Sequence, residues 1–116
     1  MITLISHGFK YGRPEANFVF DVSYLVNPWR NLELRNAPRE KIIEFMNQQE
    51  GFSELINSMA NLISIYESLW PNDNLVFAFC CSAGEYRSPV VVEAISDVLK
   101  NRNIKCEINH GSHSKI

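Results

Sequence analysis

The chain has little with which to staple itself, cross a bilayer or wrap a polyanion. Its three cysteines, two of them adjacent, make no disulfide framework, which points to a reducing, cytoplasmic setting. No apolar run approaches the ~20 residues needed to span a membrane, so no membrane partner is expected. The N-terminal stretch Met1 to Ser6 lacks the basic flank of a secretory signal and reads as a strand. With a formal net charge of −2 there is no basic excess, which weighs against nonspecific nucleic-acid binding but leaves room for a local patch. His7, His110 and His113 show no ligand-pair spacing, so neither metal nor cofactor is expected. Repeats, linkers and low-complexity tracts are missing too, and 116 residues make one domain, 1–116.

What is present is a series of apolar runs. Ile2–Ser6 and Phe18–Val22 read as strands, and Pro38–Gln48 as a short helix with Ile42, Ile43, Phe45 and Met46 on its apolar side. Ser53 is the expected cap of a second helix, in which Leu55, Ile56, Met59, Leu62, Ile63, Tyr66 and Leu69 recur at helical spacing. Trp70-Pro71-Asn72-Asp73 ends it. Leu75–Cys80 is the next strand, Pro89–Asn101 a helix and Ile104–Asn109 the last strand. The tail from His110 is expected to fray, and Asn27 to Arg35 is too irregular to assign. The order β-β-α-α-β-α-β predicts an α/β fold with a mostly parallel sheet covered by helices.

In such sheets ligands gather beyond the carboxyl ends of the strands. That places His7, Asp21, Cys81 and His110 on one rim, with Lys10, Arg13 and Arg35 on loops able to reach it. Cys80 to Pro89 forms a small-residue turn between a central strand and a helix. The first N–H groups of a helix have no partners within it, and a phosphate there accepts them. Ala83 and Gly84 are expected to let the backbone approach a ligand, Ser82 to assist, Ser88 to cap the helix, Pro89 to open it, and Arg87 to grip two phosphate oxygens.

Cys81-Ser82-Ala83-Gly84-Glu85-Tyr86-Arg87-Ser88 resembles the phosphate loop of cysteine-dependent protein tyrosine phosphatases. That likeness implies a Cys81 nucleophile beneath a phosphate held by Arg87, with Asp21 as acid. Asp73 is unsuited as the acid, because a strand of about six residues at ~3.3 Å each separates it from Cys81. A second likeness runs through the chain. Ser6, Gly8-Phe9-Lys10-Tyr11-Gly12, Phe20-Asp21-Val22, Leu25, Asn27-Pro28, Leu34-Arg35, Cys81, Gly84 and Arg87-Ser88 resemble the C-terminal domain of the RapZ family of RNase adaptors.

This second resemblance implies a domain that binds regulatory RNA and an amino-sugar phosphate and that forms homo-oligomers. Whole family members also carry a nucleotide-binding P-loop domain. This chain has no such motif, so ATPase activity is not carried over, and a separate partner protein could replace that domain. The family's turn usually has Thr-Gly-Gly, a basic residue and His before Arg-Ser; here it is Ser82-Ala83-Gly84-Glu85-Tyr86. The basic tail is reduced to Lys115, which weakens RNA binding in particular.

The expected function is a non-catalytic adaptor or sensor for a phosphorylated ligand, whether phosphosugar, nucleotide or RNA. A phosphatase using Cys81 and Arg87 is the alternative. Residue by residue, Cys81 reads either as a depressed-pKa thiolate or as a buried small hydrophobe, and Asp21 either as an acid or as a residue that orients Arg87 or caps a loop. His7 and His110 are candidates for bonds to a phosphate ester, and His113 for a solvated position. Phe9, Tyr11 and Trp29 either stack on a base or close the core beneath a loop.

Overall fold

A computed structural model describes all residues, Met1–Ile116. Four strands, β1 (Ile2–Gly8), β2 (Phe18–Asp21), β3 (Leu75–Cys81) and β4 (Cys106–His110), form one sheet in the order β2-β3-β1-β4. All three pairings are parallel. Three helices, α1 (Arg39–Asn47), α2 (Phe52–Leu69) and α3 (Arg87–Asn101), complete the α/β fold. None of them is long and apolar enough to cross a membrane.

The alternation of strand side chains decides where the core sits. Ile2, Leu4 and Ser6 of β1 point to one face and are fully buried, as are Phe77 and Phe79 of β3. Val91, Val92, Ile95 and Leu99 of α3 and Ile56, Ala60 and Ile63 of α2 close over them. Phe18 stacks on Phe77, and Tyr66 of α2 meets both rings at a tilt on the same side. The opposite face carries Val19 and Asp21, against which the connection from β1 to β2 lies through Phe9, Gly12 and Arg13.

Several boundaries differ from the sequence expectation, each for a local reason. Gly51, not Ser53, caps α2, because its left-handed φ of 82° turns the chain out of the preceding helix. The residues between Asn27 and Arg35 form two single 3-10 turns, each opened by an Asn side chain that accepts a backbone N–H. Helix α3 begins at Arg87, two residues before Pro89, so Pro89 falls third in the first turn, where its missing N–H still costs no helical bond. Its N-cap is Tyr86, and no side chain caps it. Ser88 therefore lies inside the helix and does not cap it.

The tail is not frayed. Gly111 N–H donates to the Ser6 carbonyl at 2.8 Å and Lys115 N–H to the Glu85 carbonyl at 2.9 Å. His113 is exposed, as expected, with its ring stacked on that of Tyr11, centroids 3.7 Å apart.

Candidate functional site

Parallel pairing puts the strand ends on one edge. Gly8 stands beside Cys81, Asp21 beside Cys80 and His110 beside Ser6. The turn Ser82–Tyr86 rises from the end of central strand β3. It is braced by Lys10 N–H on the Ser82 carbonyl (3.1 Å) and by the tail on Glu85. A cavity of about 70 Å³ lies against it, lined by His7, Gly8, Tyr11, Ala83, Gly84 and the tail residues Gly111 to His113.

The turn's own donors are its main feature. The backbone N–H groups of Ser82, Ala83, Gly84, Glu85, Tyr86, Arg87 and Ser88 donate to no carbonyl or side chain of the protein. Gly84, Tyr86, Arg87 and Ser88 are buried. The first N–H groups of a helix have no partner within it, and here those of the preceding turn have none within the protein either. A run of them at the mouth of a 15-residue helix gathers partial positive charge in one place.

Gly84 lines the cavity and also lets the turn pack against β1. Its φ is 70°, and a Cβ there would sit 2.7 Å from the Gly8 nitrogen. A Cβ on Gly8 would in turn sit 2.4 Å from the Ala83 carbonyl carbon. The close approach these glycines permit is between the turn and β1.

Arg87 is 8% exposed, and its hydrogen bonds hold it in place. Nη1 donates to the Ser23 carbonyl (2.7 Å) and the Leu25 carbonyl (3.3 Å), and Nη2 donates to Ser82 Oγ (3.4 Å). Nε and the second Nη2 hydrogen are not used in these bonds, so the fork is narrower than a free guanidinium. Asp21 accepts the Ser23 N–H at 2.8 Å. Bonds from Ser23 hold its carboxyl below the ordinary carboxylate range, with the Arg87 charge adding a smaller effect. An ionised Asp21 has no proton to give at neutral pH.

Cys81 is 2% exposed and belongs to the apolar core. Its thiol donates to Ser88 Oγ (3.4 Å), and the Ser88 hydroxyl donates to the His7 carbonyl (3.4 Å). Burial, with lesser effects from Cys81 and Asp21, pushes the Cys80 thiol up to about 11.

The rim residues divide. Lys10 is exposed beside the turn with its ammonium 5.4 Å from the Tyr11 ring, and Arg13 borders a shallow hollow with Asp21. His7 lines the cavity while its Nε2 donates to the Gly12 carbonyl at 2.9 Å. Arg35 turns to Trp29 instead: Nε donates to the Trp29 carbonyl (2.7 Å), and the guanidinium lies 4.6 Å from the ring centre. Lys115 approaches the same ring and pairs with Glu85 at 3.7 Å.

His110 is at the rim, but both ring nitrogens are engaged, Nδ1 with Ser6 Oγ (2.7 Å) and Nε2 with Glu93 Oε1 (3.2 Å). It has no free nitrogen for a phosphate ester, contrary to the expectation from its position. In the sequence Glu93 reads as one more polar helix residue, with nothing to mark it as a partner of His110. Asp73 lies at the opposite end of the sheet, where its carbonyl accepts the N-terminal ammonium. No three His, Cys, Asp or Glu side chains come together as a metal site would need.

Comparison with known proteins agrees with this architecture. The family model described as the RapZ C-terminal domain matches residues 1–114. A nucleotide-binding protein of Glaesserella parasuis is 33% identical over 120 residues, taking in 98% of this chain and 42% of the relative. A nucleotide-binding protein of Fervidobacterium nodosum is 34% identical over 116 residues, covering 95% of this chain and 41% of the relative. One from Caldanaerobacter subterraneus is 33% identical over 116 residues, with 41% of its length covered. The chain thus spans about two fifths of the length of these relatives.

Proposed function

This chain belongs to the RapZ C-terminal domain family, and we propose that it is a non-catalytic domain that binds a phosphorylated ligand at the turn Ser82–Ser88. The observation that carries this reading is the run of unpartnered backbone N–H groups in that turn. Arg87 supplies a positive charge already held in place, so a phosphate would order little on binding. Ser82, Ala83, Gly84, Arg87 and Ser88 form the proposed phosphate site, although Ser88 can act only through its backbone N–H because its hydroxyl faces inward. Lys10, Arg13 and Asp21 border the rim and would select the rest of the ligand. Arg35 and His110 would act indirectly.

The phosphatase alternative is not favoured. A nucleophile has to reach phosphorus in line, and the Cys81 thiol is packed in the core. The candidate acid Asp21 is held ionised. The names of the relatives, nucleotide-binding proteins, agree with a phosphorylated ligand, while their greater length leaves room for that binding to lie elsewhere.

The test is thermal unfolding with inorganic phosphate against chloride at matched ionic strength. A ligand at 100 times its Kd stabilises a fold by about 2.7 kcal/mol, a rise of roughly 10 °C for a domain of this size. Phosphate is expected to raise the midpoint of the wild type and leave Arg87→Ala unchanged. Equal protection of both proteins would remove the site assignment.

A further inference from the structure

Glu93 lies on α3 about one and a half turns beyond the anion turn, and its polar partners lie outside that turn. Its Oε1 faces His110 from β4 at 3.2 Å and Arg39 from α1 at 3.7 Å. A carboxylate only accepts, so Nε2 of His110 donates, and in the neutral ring Nδ1 is then the acceptor. The Ser6 hydroxyl supplies the matching proton at 2.7 Å, from a side chain with no exposure at all.

The chain of bonds continues to the cavity. The Ser6 carbonyl accepts Gly111 N–H, and Gly111 to His113 are one wall of the cavity beside Ala83 and Gly84. The neighbouring His7 carbonyl accepts the hydroxyl of Ser88, at the start of α3. The Ser6–His110–Glu93 contacts join β1, β4 and α3 through side chains, beside the Ser88 bond to β1 and the Tyr11–His113 stack on the tail.

The geometry points to Glu93 as a positioning residue. Through His110 and Ser6 it fixes the tail wall of the small cavity, and so sets phosphate affinity without touching phosphate. This inference rests on the anion-binding reading above. It has a sign opposite to simple electrostatics: a carboxylate acting only as a charge would repel phosphate, and its removal would tighten binding. A carboxylate acting as a brace would weaken binding when removed.

The experiment titrates inorganic phosphate calorimetrically into wild type, Glu93→Gln and Glu93→Ala at constant ionic strength. The ¹⁵N two-bond spectrum of His110 is recorded on each protein without phosphate. Glu93→Ala is expected to bind about fivefold more weakly, while Glu93→Gln, which keeps an acceptor oxygen, stays within about twofold of wild type. His110 is expected as a single Nε2–H tautomer in wild type and as a mixture in Glu93→Ala. Unchanged or tighter binding by Glu93→Ala, or an unchanged tautomer, would overturn the inference. If Glu93→Ala does not fold, Ser6→Ala breaks the other end of the chain, and affinity equal to wild type there would overturn it as well. A tautomer that shifts while wild type binds no phosphate would locate the failure in the anion-binding reading instead.

Discussion

Replacing Gly84 by alanine is the sharpest test of the claim that the turn is packed against β1. Two costs add. At φ 70° an L-residue leaves its favoured region, which costs about 1–2 kcal/mol. The new Cβ would also stand 2.7 Å from the Gly8 nitrogen and 2.9 Å from the His7 carbonyl carbon. Both are backbone atoms of a central strand and cannot swing aside, so overpacking adds about 1–3 kcal/mol. The sum is about 3 kcal/mol, or a fall of roughly 12 °C in Tm. Gly51→Ala is the control, because φ there is 82° but nothing lies within 4 Å of its Cβ, so it carries the strain alone. The assay is urea unfolding of both variants, with the slope compared to confirm a common unfolded state. If Gly84→Ala lost no more stability than Gly51→Ala, the close contact between the turn and β1 would be refuted.

Other expectations follow from the same contacts. Arg87→Ala removes the donor to two backbone carbonyls and should cost about 2–3 kcal/mol in chemical denaturation, with a smaller loss implying that water replaces the guanidinium at little cost. Wild type and Cys81→Ser should both release no phosphate from an aryl phosphate; turnover by wild type that vanished in the mutant would restore the phosphatase reading. Iodoacetamide at pH 8 should modify Cys106 before Cys80, whose thiol is buried and pushed up to about 11, as peptide mapping by mass spectrometry would report. The lowered Asp21 carboxyl contributes stability above its ordinary value of 3.8, and this contribution is lost as pH falls through its lower folded value. Asp21→Asn should flatten the acid limb of the stability curve below that pH, and an identical limb would show the Ser23 bonds to be energetically silent.

The layout of the rim was legible in the sequence because it follows from topology. Apolar runs bounded by turns define the strands, and parallel strands place their ends together, so His7, Asp21, Cys81 and His110 had to share an edge once the pairing was parallel. Which of them face a ligand was not legible. The spacing of Cys81 and Arg87 is the same whether the thiol points into the core or beneath a phosphate. Ser88 looked like a cap because capping is the usual work of a serine before Pro, yet α3 starts earlier and turns its hydroxyl toward β1. The tail has no periodicity to read; its order comes from backbone bonds to Ser6 and Glu85, partners far away in sequence. Glu93 and His110 meet only because β4 lies beside β1 beneath α3.

The same distinction between position and availability bounds how an RNA could bind. The rim and its neighbouring loops hold five cations: Lys10, Arg13, Arg35, Arg87 and Lys115. Lys115 is paired with Glu85 at 3.7 Å, whereas Arg35 is bonded to the Trp29 carbonyl and lies over its ring, neutral partners that leave its charge. That leaves Lys10, Arg13, Arg35 and Arg87 to neutralise phosphates. Each neutralised phosphate of a single strand contributes about −0.7 to the slope of log K against log salt, so these four support a slope of about −3. The assay is fluorescence anisotropy of a labelled single-stranded RNA from low to moderate salt. A slope of about −3 that drops to about −1.4 in Lys10→Gln/Arg13→Gln would locate RNA at this rim. A slope beyond about −4 would need more cations than the rim holds, and RNA would have to lie on another surface. A flat dependence would leave the site to a small phosphorylated molecule.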